Sequence, residues 1–159
     1  MATGALLMKD QDFRFFVDRG LGSKILPSRL RECGWQVTTM DERYGASISQ
    51  DLPDPEWIRE ASNRGEILLC KDLAIVRNAL EAEAISLCSA RVFALASASI
   101  TMDAGANWYL ANEQRIIDVI LHREGPFVFA IHAEKLVNKK IKYPTQLSAP
   151  TVSPQGSAD

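Results

Sequence analysis

The chain has 159 residues, of which 47% are hydrophobic and 24% charged, and its formal net charge is −2. This length and composition indicate a single ordinary globular domain that is large enough to bury a core. The slightly acidic balance excludes a general electrostatic attraction to nucleic acid, so any RNA contact has to come from a local basic patch.

The cysteines and the apolar segments indicate the cellular setting. Cys33, Cys70 and Cys88 are widely spaced and odd in number, which argues against a disulfide framework and against a zinc site. No apolar stretch approaches the ~20 residues of a membrane-spanning helix. The first dozen residues also lack the basic start and apolar run of a signal peptide. We therefore expect a cytoplasmic protein.

Short apolar runs alternate along the chain with stretches of helical periodicity. The predicted strands are 13–18, 35–40, 67–70, 91–95 and 127–131. The predicted helices run from 27 to 34, from 54 to 65, from 73 to 87 and from 101 to 122, and the polar segment 41–53 is predicted as a loop. Strands that are apolar on both faces and alternate with helices predict an α/β fold. Its three layers would be helices, a mainly parallel five-stranded central sheet, and helices again (α/β/α).

The two ends of the chain differ from this pattern. Residues 1–12 contain no periodic apolar face and are expected to form a flexible leader. Residues 143–159 are rich in Pro, Ser, Thr, Gly and Gln, and we expect a disordered tail. The domain is therefore predicted to span residues 13–142.

Three aspartates fall where an α/β sheet places its ligands, beyond the carboxyl ends of the strands. Asp18 directly follows the first predicted strand, and Asp72 directly follows the third. Asp54 begins the helix after the second strand and its long loop, so it belongs to the same edge. It also has a structural explanation, because an aspartate followed by Pro55 is a natural helix N-cap.

Three carboxylates brought within ~4–6 Å of one another repel strongly unless a cation lies between them. Oxygen ligands suit Mg²⁺ or Mn²⁺, and such a site can activate water for attack on a phosphodiester. The chain contains few of the residue combinations that other kinds of active site require. His122 and His132 stand near no Ser or Cys nucleophile motif, and the glycines of segment 19–23 match no phosphate-binding motif.

The segments FFVDRGLG, LRECG, GWQV and LLCKD, taken in this order, resemble the small PIN-like domains. The similarity is greatest to the VapC toxins and looser to the Mut7-C domains, and it spans roughly residues 13 to 95. It implies a PIN-like fold and a Mg²⁺-dependent (or Mn²⁺-dependent) endoribonuclease. Such an enzyme would be the toxin of a type II toxin–antitoxin pair, with RNA as its substrate and a cognate antitoxin as its partner.

The resemblance also implies roles for individual acids. Asp18 and Asp72 match the first and third acids of the family, and Asp54 fits the middle acid best, although Asp51 and Glu56 compete with it. These implied catalytic residues would hold the metal through Asp18, Asp54 and Asp72.

The region after the fourth strand offers a fourth acid, Asp103. Asn107, one helical turn later, is a candidate for positioning water or RNA. The chain departs from the family in having Cys70-Lys71 where Thr-Arg is frequent, and Lys71 remains a candidate phosphate contact.

The strongest local positive charge lies between residues 115 and 143, where six basic and three acidic residues give +3. If residues 133–142 form a helix, Lys135, Lys139 and Lys142 share one face. We predict that this face binds RNA; the alternative is a solvated Lys-rich surface.

Two further interpretations compete with the enzyme. One is a catalytically inactive PIN-like domain that regulates or binds a partner. The other is a receiver-like phosphoacceptor domain, which needs an acidic pair after the first strand, whereas this chain has only Asp18 there. The sequence does not fix the oligomeric state, and a homodimer is one candidate.

Overall fold

The structure is a computed structural model that describes residues 6–142. The first five residues of the predicted leader and the predicted tail 143–159 lie outside the described residues. The rest of the leader packs on the domain. Met8–Asp10 form one turn of 3-10 helix, Met8 is buried, and its backbone N–H donates to Oε2 of Glu113 at 2.7 Å.

Helices and strands alternate through most of this range. The strands are β1 (Arg14–Val17), β2 (Gln36–Thr39), β3 (Ile67–Cys70), β4 (Arg91–Leu95), β5 (Phe127–Ile131) and β6 (Leu136–Lys139). The helices are α1 (Ile25–Glu32), α2 (Met40–Tyr44), α3 (Ala46–Ser49), α4 (Asp54–Asn63), α5 (Ala74–Arg77), α6 (Ala79–Leu87), α7 (Met102–Ala111) and α8 (Glu113–His122). A 3-10 turn, Arg19–Leu21, follows β1 directly.

The sheet has the strand order β2-β1-β3-β4-β5-β6, and its first five strands are parallel. This confirms the predicted α/β class and the mainly parallel sheet. The predicted strand number was one too few, because β6 adds an antiparallel edge strand to β5. The condition under which Lys135, Lys139 and Lys142 would share a helical face is therefore not met, because residues 136–139 pair with β5 as a strand.

Two apolar layers enclose the sheet, and alternate residues of each strand feed them. On β1, Phe15 and Val17 join the layer built by α1, α7 and α8. Phe16, between them, joins the opposite layer with α4, α5 and α6. The three-layer α/β/α arrangement follows from strands that are buried on both faces.

Two predicted helices are each divided in two at an asparagine. Asn112 is buried between α7 and α8, and its Nδ2 donates to the carbonyls of Trp108 and His132 at 2.8 Å each. Asn78 adopts an extended conformation between α5 and α6, and its Oδ1 accepts from Leu80 N. In both places the amide side chain competes with the backbone for hydrogen bonds and interrupts the helix.

The predicted loop 41–53 instead contains α2 and α3. A capping box starts α2: the Thr39 hydroxyl accepts from Glu42 N, and the Glu42 carboxylate accepts from Thr39 N. The predicted N-cap role of Asp54 is also wrong, because Pro53 occupies that position and Asp54 is already the first residue of α4. The Asp54 carboxylate therefore does not cap the helix and can accept hydrogen bonds from other side chains.

None of the helices in residues 6–142 combines the length and the apolar character needed to cross a bilayer. The three cysteines, all of them within this range, form no disulfide.

A buried ion pair fastens α2 to the start of β3. Nη1 and Nη2 of Arg43 donate to Oε1 and Oε2 of Glu66 at 2.7 and 2.5 Å, and Glu66 is only 4% exposed. The Arg43 guanidinium also lies 4.5 Å from the centre of the Phe16 ring. This bidentate pair lets two charges be buried beside the apolar layer.

We expect Arg43→Met to lower the free energy of unfolding by about 3–5 kcal/mol, because it leaves the buried Glu66 carboxylate without a partner. Arg64→Met is the matched control. It breaks the exposed pair of Arg64 with Glu60, which is expected to contribute less than about 1 kcal/mol. Urea unfolding of both variants measures the difference, and equal losses would contradict this account.

Candidate active site

A cleft of about 280 Å³ opens at the carboxyl edge of the sheet. The strand β1 lies between β2 and β3 in the sheet, so the chain connections after β1 and after β2 run in opposite directions. The cleft lies at this topological switch point, where open α/β sheets bind ligands. Among the residues that line it are four acids, one lysine and one glycine: Asp18, Asp54, Asp72, Glu81, Lys71 and Gly20.

Asp18 forms the floor of the cleft. Its Oδ1 accepts from Gly20 N, and its Oδ2 accepts from Lys71 N at 3.2 Å. Desolvation raises the pKa of Asp18 to about 6, against the effect of these two bonds, and the nearby charges of Asp54 and Asp72 add to the rise. Asp18 therefore titrates closer to neutral pH than an ordinary carboxylate.

Gly20 has to be a glycine at this place. A Cβ built on it would lie 2.9 Å from Oδ1 of Asp18 and 2.9 Å from Cβ of Lys71. The missing side chain lets the 3-10 turn fold tightly over the end of β1 and donate its N–H to the carboxylate. The local sequence Asp-Arg-Gly thus shapes the cleft floor.

Asp54 projects into the cleft from the first turn of α4. Its Oδ1 accepts from Nη1 of Arg19 at 3.1 Å and from Nε1 of Trp57 at 2.8 Å. Burial acts to raise the pKa of Asp54, but hydrogen bonds with Glu81, Trp57 and Arg19 outweigh it and lower the pKa. The donors around this carboxylate therefore favour its charged form.

Glu81 is the acid that the sequence analysis missed. It lies in the first turn of α6, and its pKa is raised to about 8 by burial, by the hydrogen bond with Asp54 and by the charges of Asp54, Asp18 and Asp72. The carboxyl groups of Glu81 and Asp54 therefore influence each other's protonation. The break at Asn78 starts α6 beside the cleft, and a continuous helix from 73 to 87 gave no reason to expect this.

Asp72 follows β3 and faces the same cleft. Its Oδ1 accepts at 2.8 Å from the backbone N–H of Ala74, the first residue of the short helix α5. The three aspartates that the strand-end rule selected are therefore brought together. Their carboxylates do not converge on one point: within residues 6–142, no three His, Cys, Asp or Glu side chains are arranged to hold a metal ion.

The remaining candidate acids lie elsewhere. Asp51 and Glu56 are exposed and do not line the cleft. Asp103 and Asn107 lie on α7, where Oδ1 of each accepts from the guanidinium of Arg29 at 3.3 and 2.6 Å. The predicted placement of Asp103 beside the other acids is therefore not seen, because packing of α7 against α1 pairs it with an arginine.

The basic candidates are divided between two places. Lys71 lines the cleft, and its side chain lies against Gly20. Lys139 ends β6 and Lys135 and Lys142 flank that strand, at the far edge of the sheet, with β4 and β5 between β6 and β3. Of these three lysines, Lys139 belongs to the edge strand itself and the other two lie just before and after it.

The pKa of Glu81 predicts how stability depends on pH. Its value in the folded protein, about 8, lies above its ordinary value of 4.5, so the folded state binds this proton more tightly. The resulting stability is complete below about pH 4.5 and is lost as pH rises through about 8. In EDTA we expect the melting temperature of the wild type to fall over this range.

Glu81→Gln is expected to melt a few degrees higher than the wild type at pH 9 and to show a flatter pH dependence. The amide can still donate to Asp54 and carries no charge. Glu124→Gln, an exposed change outside the cleft, is the control. Thermal unfolding followed by circular dichroism at pH 5, 7 and 9 tests this, and parallel curves for Glu81→Gln and the wild type would refute it.

Comparison with known proteins gives the family. Residues 13–97 match the family described as "PIN like domain". The chain is 36% identical over 131 residues to "Putative ribonuclease VapC45" of Mycobacterium tuberculosis, an alignment that covers 82% of this chain and 94% of that protein. No solved structure matches significantly. The match runs from the strand before Asp18 past the end of β4, so the chain belongs to the PIN-like domain family and, within it, to the VapC-type proteins.

Proposed function

We propose that this chain is a divalent-metal-dependent endoribonuclease, the toxin of a type II toxin–antitoxin pair. The observation that carries the proposal is the gathering of Asp18, Asp54 and Asp72 in one cleft at the switch point of the sheet. The relative named a ribonuclease supports the same reaction class, and it aligns with 82% of this chain.

The donor chemistry of the cleft suits a hard cation, although its carboxylates are not gathered around one point in this structure. All four acids offer carboxylate oxygens, the ligands that Mg²⁺ and Mn²⁺ prefer. The raised pKa values of Asp18 and Glu81 reflect carboxylates that are desolvated and crowded by other negative charges, and a cation would remove that penalty. When bound, the cation would supply positive charge beside the scissile phosphodiester and make water a better nucleophile.

We assign the holding of the metal to Asp18, Asp54 and Asp72. In this assignment Asp18 provides the fixed point, since two backbone N–H groups hold its carboxylate in place. Glu81 takes the place of Asp103 as the fourth acid, because it contacts Asp54 whereas Asp103 pairs with Arg29. Glu81 then lies beside Asp54 as a further carboxylate at the metal position.

RNA would reach the cleft past Lys71, which we assign to a phosphate group. A role for Asn107 in RNA binding would require its release from Arg29. The lysines along β6 offer a second contact with the RNA backbone, on the far side of the sheet from β1.

The biological setting follows from the same proposal. A ribonuclease toxin needs a partner protein that blocks it, so we propose a cognate antitoxin. We place the protein in the cytoplasm, where RNA is abundant and where the three free cysteines stay reduced. The domain would span residues 13–142, and a homodimer remains one candidate assembly.

The competing proposal is an inactive PIN-like domain that only binds a partner. The dispersed arrangement of the acids, of which no three within residues 6–142 form a ready metal site, is the observation in its favour. Cleavage of total RNA by the purified protein in Mg²⁺, lost in EDTA, separates the two. Intact RNA under both conditions would favour the binding domain.

We expect Asp18→Asn and Asp72→Asn to keep the fold and to abolish Mg²⁺-dependent cleavage, because each amide removes a charge that would hold the cation. Asp103→Asn is expected to lower activity far less. Asp118→Asn, on the exposed face of α8, is the matched control. Cleavage of labelled RNA is measured, with circular dichroism to check folding. A folded Asp18→Asn protein with full activity would overturn the assignment.

We expect a Lys135→Ala/Lys139→Ala/Lys142→Ala variant to bind single-stranded RNA more weakly and with a shallower salt dependence. Each lost phosphate contact should reduce the slope of log binding constant against log salt concentration by roughly 0.7. Mn²⁺ affinity should be unchanged, because the aspartates lie elsewhere. Lys9→Ala, an exposed lysine outside both regions, is the control. The affinity for single-stranded RNA is measured across a salt series. An unchanged slope would show that these lysines form a solvated surface and do not contact RNA.

A further inference from the structure

Arg19 makes an unusual set of bonds directly beside the cleft. It follows Asp18 in the sequence and opens the 3-10 turn after β1. Its Nε donates to the carbonyl of Ser49 at 2.9 Å, its Nη2 donates to the carbonyl of Leu52, and its Nη1 donates to Oδ1 of Asp54 at 3.1 Å. All three nitrogens of one guanidinium are thus engaged by a single short segment, residues 49–54.

Apolar contacts also hold this region: Leu52 packs on the layer that contains Phe16 of β1, and Trp57 of α4 lies against the Phe16 ring. Arg19 adds a polar link between the segment and the strand end beside the cleft. The segment joins the four-residue helix α3 to α4, and its residues Gln50, Asp51 and Pro53 are exposed. Arg19 bridges 30 to 35 positions of sequence to reach it. The guanidinium therefore ties the start of α4, and with it Asp54, to the strand end that carries Asp18.

The geometry of the guanidinium matters as well as its charge. Its planar, fixed fork reaches three acceptors at once, whereas a lysine is a flexible point charge that cannot reproduce their spacing. Three of its five N–H groups already donate to protein acceptors, so Arg19 cannot offer its full fork to an RNA phosphate. Its side chain is 30% exposed.

We propose that Arg19 is a positioning residue for Asp54. It holds the Asp54 carboxylate in the cleft, in register with Asp18, and it acts on the metal and on RNA only through Asp54. This inference deepens the proposed function and rests on it for the metal. The bond from Trp57 Nε1 to the same oxygen, Oδ1 of Asp54, gives a reporter that does not depend on catalysis.

The test compares Arg19→Lys and Arg19→Ala with Asp54→Asn and with the double variant Arg19→Ala/Asp54→Asn. Arg31→Ala is the matched control, because Arg31 also makes several bonds, to the Val37 carbonyl and to Glu42, and lies outside the cleft. Three quantities are measured on the full chain: Mn²⁺ affinity by calorimetry, kcat and KM for RNA cleavage, and the indole N–H resonance of Trp57 by NMR.

We expect both Arg19 variants to bind Mn²⁺ 10- to 100-fold more weakly, the range typical for residues that orient a metal ligand. Their kcat should fall while KM for RNA changes little. The Trp57 indole N–H should shift and exchange faster with solvent than in the wild type or in Arg31→Ala. The double variant should bind Mn²⁺ no more weakly than Asp54→Asn alone, because the two residues act as one unit.

The outcomes separate this inference from the function on which it rests. A wild-type protein without Mn²⁺ binding or cleavage overturns the proposed function, and the Trp57 resonance then still decides whether Arg19 positions Asp54. Unchanged Trp57 signals in both Arg19 variants overturn the positioning role. Additive losses of Mn²⁺ affinity in the double variant overturn it too, because Arg19 would then act independently of Asp54.

Discussion

Four carboxylates share one small cleft at the carboxyl edge of a parallel sheet, and their mutual repulsion is the constraint on which the rest of this site depends. The chain balances the repulsion in three ways. Backbone N–H groups hold the Asp18 carboxylate, Arg19 neutralises Asp54, and Glu81 keeps its proton up to about pH 8. Groups whose pKa values are moved apart in this manner concentrate at functional sites. A cation would replace the retained proton by a stronger positive charge.

The fold makes this crowding tolerable by fixing everything beneath it. Both faces of the sheet are covered by closely packed apolar layers, which oppose any movement of the strands that carry these acids. The buried hydroxyl of Tyr109 lies 3.0 Å from the carbonyl of Cys70 and 2.8 Å from that of Phe93, and so links the neighbouring strands β3 and β4. Arg43 and Glu66 fasten α2 to the start of β3. The rigid scaffold holds the acids at positions that stability alone would not favour.

Two arginines on the same side of the sheet illustrate different uses of one side chain. Arg43 stabilises a buried carboxylate that has no part in the cleft, and its loss is expected to reduce stability. Arg19 is bonded mainly to backbone carbonyls of a short connecting segment and reaches a single carboxylate in the cleft, so its loss is expected to move Asp54. The same chemistry thus supports the fold in one place and the site in the other.

The parallel α/β sheet and the common edge of Asp18, Asp54 and Asp72 could be predicted from the sequence, because hydrophobic periodicity and the position of an acid after a strand are local properties. The sequence also contained the capping box that starts α2 at Thr39. The presence of Glu81 beside these aspartates could not be predicted in this way, since it depends on where the helix break at Asn78 places the start of α6 in space. The role of Arg19 depends on hydrogen bonds to residues 30 or more positions away in the sequence. The strand β6 depends on pairing with the edge of β5. Interactions between distant segments of the chain leave no periodic trace in its sequence, and these features were therefore fixed only by the folded arrangement.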